Sequence, residues 1–267
     1  MEHGVTARRA CHMLSVSAST LYYTPAPDRN HELRQRLREV ARPGIGYRLA
    51  RALVLPEWQS EFGALNPKRV YRLWKQEHLA RKKTRKKPRT GATVPVAATR
   101  ANQVWCLDFC HDACLNGTRL KVLAVKDEYT RECLALEVAT RLNSQSVRCI
   151  LQRLMIERGA PQYLRSDNGP EFIAGHLRIW LLNQGSRSQF IKPGSLLPKG
   201  RPQNGHAESF MARLRAECLN AEVFYNLADA RLKLDLFRRY YNQVRPHSSL
   251  GYVPPAQFVE QLQINGG

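Results

Sequence analysis

Apolar residues recur along the chain at two different periods, and the change falls near residue 102. Before it the spacing is helical. Leu33, Leu37 and Val40 share one face, Arg42-Pro43-Gly44-Ile45-Gly46 interrupts, and a second periodic stretch runs from Arg48 to Leu55. A third helix is well marked: Asn66 stands where a cap is needed, Pro67 takes the first position, and Val70, Leu73 and Trp74 form a stripe facing away from Lys68, Arg69, Arg72 and Lys75. Residues 5–23 have room for a further short helix pair. Beyond 102 the period is that of strands. Trp105 to Cys110 is aromatic and apolar with one carboxylate, Asp108, in its middle, and Arg119 to Val125 and Glu132 to Val138 complete a three-stranded meander. Asn143 or Ser144 then caps a helix carrying Val147, Ile150, Leu151 and Leu154, which Gly159 and Pro161 end. A short segment, Gln162 to Arg165, delivers Asp167, and an amphipathic helix follows over about 171–184. The pattern predicts a mixed α/β sheet flanked by helices, preceded by a small all-α region. The divisions expected are a helical segment over 1–30, a helix-turn-helix-like region over 31–90, a linker over 91–101, a core over 102–225, and a C-terminal helix and tail over 226–267 packed on that core.

Charge sharpens this division. The 267 residues carry 42 Lys plus Arg against 22 Asp plus Glu, a net +20, so an anionic partner is expected. Residues 1–104 hold 21 basic and 7 acidic side chains, and thus most of the excess. It peaks at Arg81-Lys82-Lys83-Thr84-Arg85-Lys86-Lys87-Pro88-Arg89, which reads as a helix end running into a linker. Three short helices with a basic last one suit a helix-turn-helix module, although an ordinary small bundle with a charged surface has the same pattern. A mean hydropathy of −0.46 and the lack of any apolar run near eighteen residues give no membrane span. Residues 1–24 lack the apolar stretch of a secretory signal, which points to the cytoplasm. The seven cysteines are scattered, so reduced thiols are expected.

Three carboxylates carry the candidate chemistry. Asp108 lies inside an expected buried strand, where an ionised group is expensive without compensation. Asp167 ends the next sheet strand, in Ser166-Asp167-Asn168-Gly169-Pro170-Glu171-Phe172, and Glu208 begins a helix whose Phe210 and Leu214 are apolar. If they converge, mutual repulsion raises their pKa values unless divalent cations sit between them. Hard oxygen ligands favour Mg²⁺ or Mn²⁺, and two such ions about 3.5–4 Å apart hold both the attacking and leaving oxygens of an in-line phosphoryl transfer.

Four ordered motifs, Trp105-Cys106-Leu107-Asp108-Phe109, the Asp167 segment, Asn204-Gly205-His206-Ala207-Glu208-Ser209-Phe210 and Arg245-Pro246-His247-Ser248-Ser249-Leu250-Gly251-Tyr252, resemble the DDE transposases of bacterial insertion sequences. The match is to the second reading frame of the IS-three family, with the retroviral integrase core, a ribonuclease H-like fold, as a more distant relative. Gly44 to Arg48 and Lys68 to Leu73 resemble the helix-turn-helix region before the core of those proteins, so the resemblance covers nearly the whole chain. It implies a DNA transposase or integrase that cuts and joins strands, with Asp108, Asp167 and Glu208 as the catalytic triad holding two ions of Mg²⁺ or Mn²⁺. Arg215, seven residues after Glu208, matches a basic position on the same helix, where it would hold a DNA phosphate. The expected DNA contacts are Arg69, Arg72, Lys82, Lys83, Arg85, Lys86, Lys87 and Arg215. The partners implied are double-stranded DNA at the element ends and target, further copies of the chain, and an upstream-frame protein, with the nucleoid as the place of action. Forty residues separate Asp167 from Glu208, a few more than is usual in the family. The excess falls in the Gly- and Pro-rich stretch 194–202, expected to be loop.

Other constellations compete. Cys106, Cys110, Cys114 and His111 lack the paired short spacings of structural zinc sites and read as core residues. His206 and His247 read as hydrogen-bonded loop histidines. A ribonuclease H-like nuclease would share the carboxylates, and a non-catalytic DNA-binding remnant would keep the fold and the charge.

Overall fold

The computed structural model describes residues 6–24, 28–80, 98–167, 169–190, 196–197, 201–202 and 205–265. The short helices α1 (Ala7–Met13) and α2 (Ala18–Leu21) come first and bury none of their residues. Three longer ones, α3 (His31–Val40), α4 (Tyr47–Phe62) and α5 (Pro67–Gln76), enclose a core of their own built on Leu33, Leu37, Val54, Trp58, Val70 and Leu73. The Asn66 side chain accepts from the Lys68 N–H at 2.8 Å, the cap its position predicts. Helix α4 runs seven residues beyond the expected Leu55, through Pro56. Its far end is fixed because Trp58 is buried and the guanidinium of Arg69 lies 5.5 Å from its ring.

The strands β1 (Val104–Ala113), β2 (Arg119–Asp127), β3 (Cys133–Ala139), β4 (Tyr163–Ser166) and β5 (Arg187–Phe190) form one sheet in the order β3-β2-β1-β4-β5. The first three are antiparallel neighbours, as a meander requires, and β4 and β5 run parallel to β1. Crossover from β3 to β4 is made by α6 (Ser144–Arg158), capped by Asn143 and ended at Gly159. Alternation along the strands feeds two cores. Cys110, Val122 and Ala124 face α9 (Gly205–Leu214) and α10 (Leu227–Gln243), meeting Phe210, Leu214, Leu234 and Tyr241. Trp105, Leu107, Leu123 and Val125 face α6. The C-terminal helix α11 (Pro255–Asn265) packs against α10.

Two expectations are corrected and one strand is added. The helix expected over 171–184 is two, α7 (Pro170–Ile173) and α8 (Gly175–Asn183), broken where Ala174 turns extended at ψ 125°. The break lets Phe172 stack on Phe109 at 4.9 Å while Leu177 and Leu181 reach the same core. The stretch 194–202 is not all loop: β6 (Leu196–Leu197) and β7 (Arg201–Pro202) pair antiparallel. Pro202 lacks an N–H but is tolerated in so short a two-stranded ladder, where both strands are edges. Strand β5, Arg-Ser-Gln-Phe, has no apolar run to announce it, and its place at the sheet edge is why it needs none.

The helical unit meets the core in a closely fitted contact at Gly44. Gly44, at φ +92°, holds a turn that disfavours any other residue, and a Cβ there would lie 3.1 Å from Glu217. Glu217 belongs to a π-helical turn, Arg215–Leu219, that continues α9. It pairs with Arg245, both side chains buried, through Nε to Oε2 at 2.8 Å and Nη2 to Oε1 at 2.6 Å.

Candidate active site

Asp108 is carried by the central strand. Its neighbours Leu107 and Cys110 bury into opposite cores, so the alternation turns Asp108 towards α9. Its Oδ1 accepts from the Phe109 N–H at 2.8 Å. Asp167 stands just past β4, the strand parallel to β1, and is exposed, with Oδ1 accepting from the Gly169 N–H at 3.1 Å. Glu208 is exposed in the first turn of α9, whose Ala207, Phe210, Met211 and Leu214 are buried. A carboxylate there is favoured by the helix dipole. Three elements thus bring three acids to one end of the sheet.

The electrostatics record the meeting. Burial pushes the Asp108 carboxyl up to about 6, the charges of Asp167 and Glu208 push the same way, and the Phe109 amide and Arg215 oppose them. Arg215, the first residue of the π-turn, is near enough for its charge to act on Asp108. Such turns add a residue to the helical repeat and are frequent at functional sites. Among the described residues no three His, Cys, Asp or Glu side chains are close enough to enclose one metal ion. The acids are gathered but their cage is not closed.

The expected DNA contacts divide. Arg69 is committed within the helical unit: its Nε donates to Asn30 Oδ1 at 2.8 Å and its Nη2 to the Arg29 carbonyl at 3.0 Å, besides covering Trp58. Arg72 is exposed on α5. Lys82, Lys83, Arg85, Lys86 and Lys87 lie outside the described residues.

The histidines serve the fold. His206 is helical rather than in a loop, half-buried against the Arg131 guanidinium, and burial with that neighbouring charge lowers it to about 3. His247 is buried, stands edge-on to Tyr241 at 4.8 Å, and is lowered to about 2, chiefly by burial. Both are therefore uncharged at neutral pH. All seven cysteines are free thiols, and Cys106, Cys110, Cys114, Cys133 and Cys218 are buried as small core residues.

Two features were missed by reading the sequence. Glu171 pairs with Lys121, which also lies 4.2 Å from the Phe109 ring. A Cβ at Gly169 would meet both Asp167 Oδ1 at 3.1 Å and Glu171 Oε2 at 3.4 Å. The Asp-Asn-Gly-Pro-Glu run was the available signal, since a Gly with an acid two residues to either side marks a close approach.

Two models of the integrase core domain match the chain, one over residues 98–195 and one over 184–255. The insertion element IS407 31.7 kDa protein of Burkholderia multivorans is 37% identical, over 95% of this chain and 90% of that one. The chain belongs to the insertion-element transposases of the integrase superfamily. A second relative, the insertion element IS476 39.2 kDa protein of Xanthomonas euvesicatoria, is 36% identical over 97% of this chain and 74% of its own length. The transposase InsD for insertion element IS2 of Escherichia coli is 30% identical over 84% of this chain and 76% of its own. Among solved structures, the simian T-cell lymphotropic virus intasome in complex with PP2A regulatory subunit B56 gamma aligns over 78% of this chain and 73% of the matched chain, with a TM-score of 0.51 at 13% identity. The fold is ribonuclease H-like, and the function is that of a DNA transposase in insertion-element transposition. The family's activity is of the polynucleotidyl transferase type. No described helix of this transposase is long and apolar enough to cross a membrane.

Proposed function

We propose that this transposase cuts and joins DNA strands by metal-dependent phosphoryl transfer at Asp108, Asp167 and Glu208. The observation that supports the reading is the raised carboxyl of Asp108, held at about 6 by burial and by the charges of the other two. Such a concentration of negative charge is costly as it stands and is relieved by cations. The donor set, three hard carboxylates from three elements, fits Mg²⁺ or Mn²⁺. With two such ions bound, the site stabilises charge on both the attacking and leaving oxygens of an in-line displacement.

The chain's own residues supply the rest. Asp108 is held rigid by the central strand, Asp167 by the Gly169 N–H, and Glu208 by the buried face of α9. Arg215 holds a phosphate oxygen beside them. Water attacks a phosphodiester in line and the 3′-oxygen leaves as a hydroxyl; that 3′-hydroxyl then attacks a second phosphodiester, whose own 3′-oxygen leaves as a hydroxyl, and no covalent bond to the protein forms. The working form is an oligomer on double-stranded DNA, assisted by an upstream-frame protein, acting at the bacterial nucleoid.

The test is a strand-transfer assay on the element's own end sequences with Mg²⁺, with Mn²⁺ and with chelator. Joining is expected with either metal and none with chelator. DNA binding without metal-dependent cleavage would identify a binding remnant, and cleavage of an RNA–DNA hybrid without joining would identify a nuclease.

Gly169→Ala supplies an independent check of Asp167. The backbone at Gly169 (φ −58°, ψ 143°) accepts an alanine, so the protein should fold, but the new methyl displaces the Asp167 carboxylate. Cleavage should fall roughly three- to tenfold, less than the cost of a misplacement of about 1 Å because the carboxylate has to give by only a few tenths of an ångström, with the thermal midpoint nearly unchanged. Wild-type cleavage by this variant would remove Asp167 from the site.

A further inference from the structure

On the α6 side of the sheet, next to the loop that carries Asp167, lies an open pocket of about 500 Å³. His111 of β1, Arg119 and Lys121 of β2, Arg141 beyond β3, Ser144 of α6 and Glu171 of α7 line it. The sheet register explains why so many cations share it. His111 pairs with Lys121 across β1 and β2, and Lys121 pairs with Ala139 across β2 and β3. Arg119 begins β2 and Arg141 lies two residues past the end of β3, and both reach the same pocket. Like charges facing across neighbouring strands are destabilising. Glu171, the one acid in the lining, is already paired with Lys121. Neither Arg119 nor Arg141 makes an ion pair within the described residues, and both are exposed. Two guanidiniums in one pocket, neither paired with a carboxylate, are what a phosphate needs, since each offers a fork of donors to its oxygens. The Ser144 hydroxyl at the start of α6 adds a donor, and the fifteen-residue helix adds its positive end.

We infer that Arg119 and Arg141 form a second phosphate-holding site, which takes a backbone phosphate of the DNA duplex while the three carboxylates act on another. The inference rests on the proposed function for the identity of the ligand. Gly169 connects the two places: one point beside it lies within 3.4 Å of both the Asp167 and Glu171 carboxylates, so DNA reaching Asp167 passes the rim of this pocket. The Lys121–Glu171 pair neutralises the one acid there and leaves the pocket positive. The arginines position DNA and touch no reacting atom.

The test uses the full chain and a labelled duplex bearing the element's end. Affinity is measured across a salt series for the wild type, for Arg119→Ala with Arg141→Ala, and for Arg119→Lys with Arg141→Lys. The alanine pair is expected to reduce the slope of log affinity against log salt by about 0.9 for each phosphate no longer neutralised. Its affinity at low salt should fall roughly tenfold, the lysine pair, which keeps the charges but not the forks, should keep the wild-type salt slope and lose only part of the affinity, and strand transfer by the alanine pair should fall at least as far as binding. Thermal midpoints should be unchanged or higher, because a repulsion is removed. In the wild type, bound duplex should also protect Arg119 and Arg141 from phenylglyoxal, which needs no variant to fold. A wild-type slope in the alanine pair, or full modification of both arginines in the complex, would overturn the site. These binding readouts do not depend on catalysis: a chain that binds through Arg119 and Arg141 but never cuts DNA would sink the proposed chemistry and leave this site standing.

Discussion

Asp108→Asn is expected to abolish DNA cleavage and joining while making the metal-free protein more stable at neutral pH. Loss of activity follows from removing one anionic ligand with almost no change in volume, and a fall of roughly a thousandfold is expected, as it is for Asp167→Asn and Glu208→Gln. Duplex binding should survive in all three. The gain in stability follows from the raised carboxyl. Asp108 holds its proton up to about pH 6 in the folded chain, against the ordinary 3.8, because it is buried and faces Asp167 and Glu208. The folded state therefore binds the proton more tightly than the unfolded state. That contribution is fully present below about pH 4 and is lost as pH rises through about 6. A difference of about two pKa units, at 1.36 kcal/mol each, sets an upper figure near 3 kcal/mol, and partial exposure of the group brings the expected value to about 1–3 kcal/mol. Asparagine carries no charge and escapes the penalty. Thermal midpoints of both proteins at pH 5 and pH 8 in chelator would check this: the variant should gain on the wild type between the two pH values. Mg²⁺ should then raise the wild-type midpoint and not the variant's. Equal pH dependence in the two proteins would show that the Asp108 charge is not held in so costly a place.

The second large effect is expected far from the acids, at the pair of Glu217 and Arg245. With only 4% and 5% of their side chains exposed and two hydrogen bonds between them, each would be left as an unpaired buried charge by loss of the other. Glu217→Ala or Arg245→Ala should cost about 3–5 kcal/mol, which at about 2–4 °C per kcal/mol lowers the thermal midpoint by roughly 6–20 °C. Replacing both by apolar residues of similar volume should cost much less, because no charge is stranded. The pair also lies where the Gly44 turn of the helical unit meets the π-turn that begins with Arg215. Its loss should therefore loosen the placement of the helical unit, visible as faster proteolysis between the unit and the core at temperatures where both remain folded. Single variants within about 1 kcal/mol of the wild type, the range of an exposed ion pair, would show that the pair carries no such weight.

The positions of the three acids on their elements were legible because each acid stands in its own local signal. Asp108 interrupts an apolar strand, Asp167 follows a short strand and opens a Gly-Pro turn, and Glu208 leads an amphipathic helix, so all three can be placed on elements without knowing what lies opposite them. The helical unit was legible for the same reason: Asn66 and Pro67 act within one turn of the helix they start. Arg69 shows the limit. Its charge on a basic helix is the pattern of a DNA contact, and nothing in that pattern announces its hydrogen bond to Asn30, 39 residues earlier.

By itself, then, the sequence determined the longer helices and the strands of the meander, the elements on which the acids sit, and the basic character of the first hundred residues, since periodicity, caps and charge act over a few residues of neighbouring chain. Only the tertiary structure decided how much of the Asp108 charge is felt by Asp167 and Glu208, that Arg119 and Arg141 share one pocket, that Arg245 is spent on Glu217, and that α7 and α8 are two helices. Each of these depends on which residues the sheet and the two cores bring together from far apart in the chain, and desolvation and Coulomb energy are set by those distances through space rather than along the sequence.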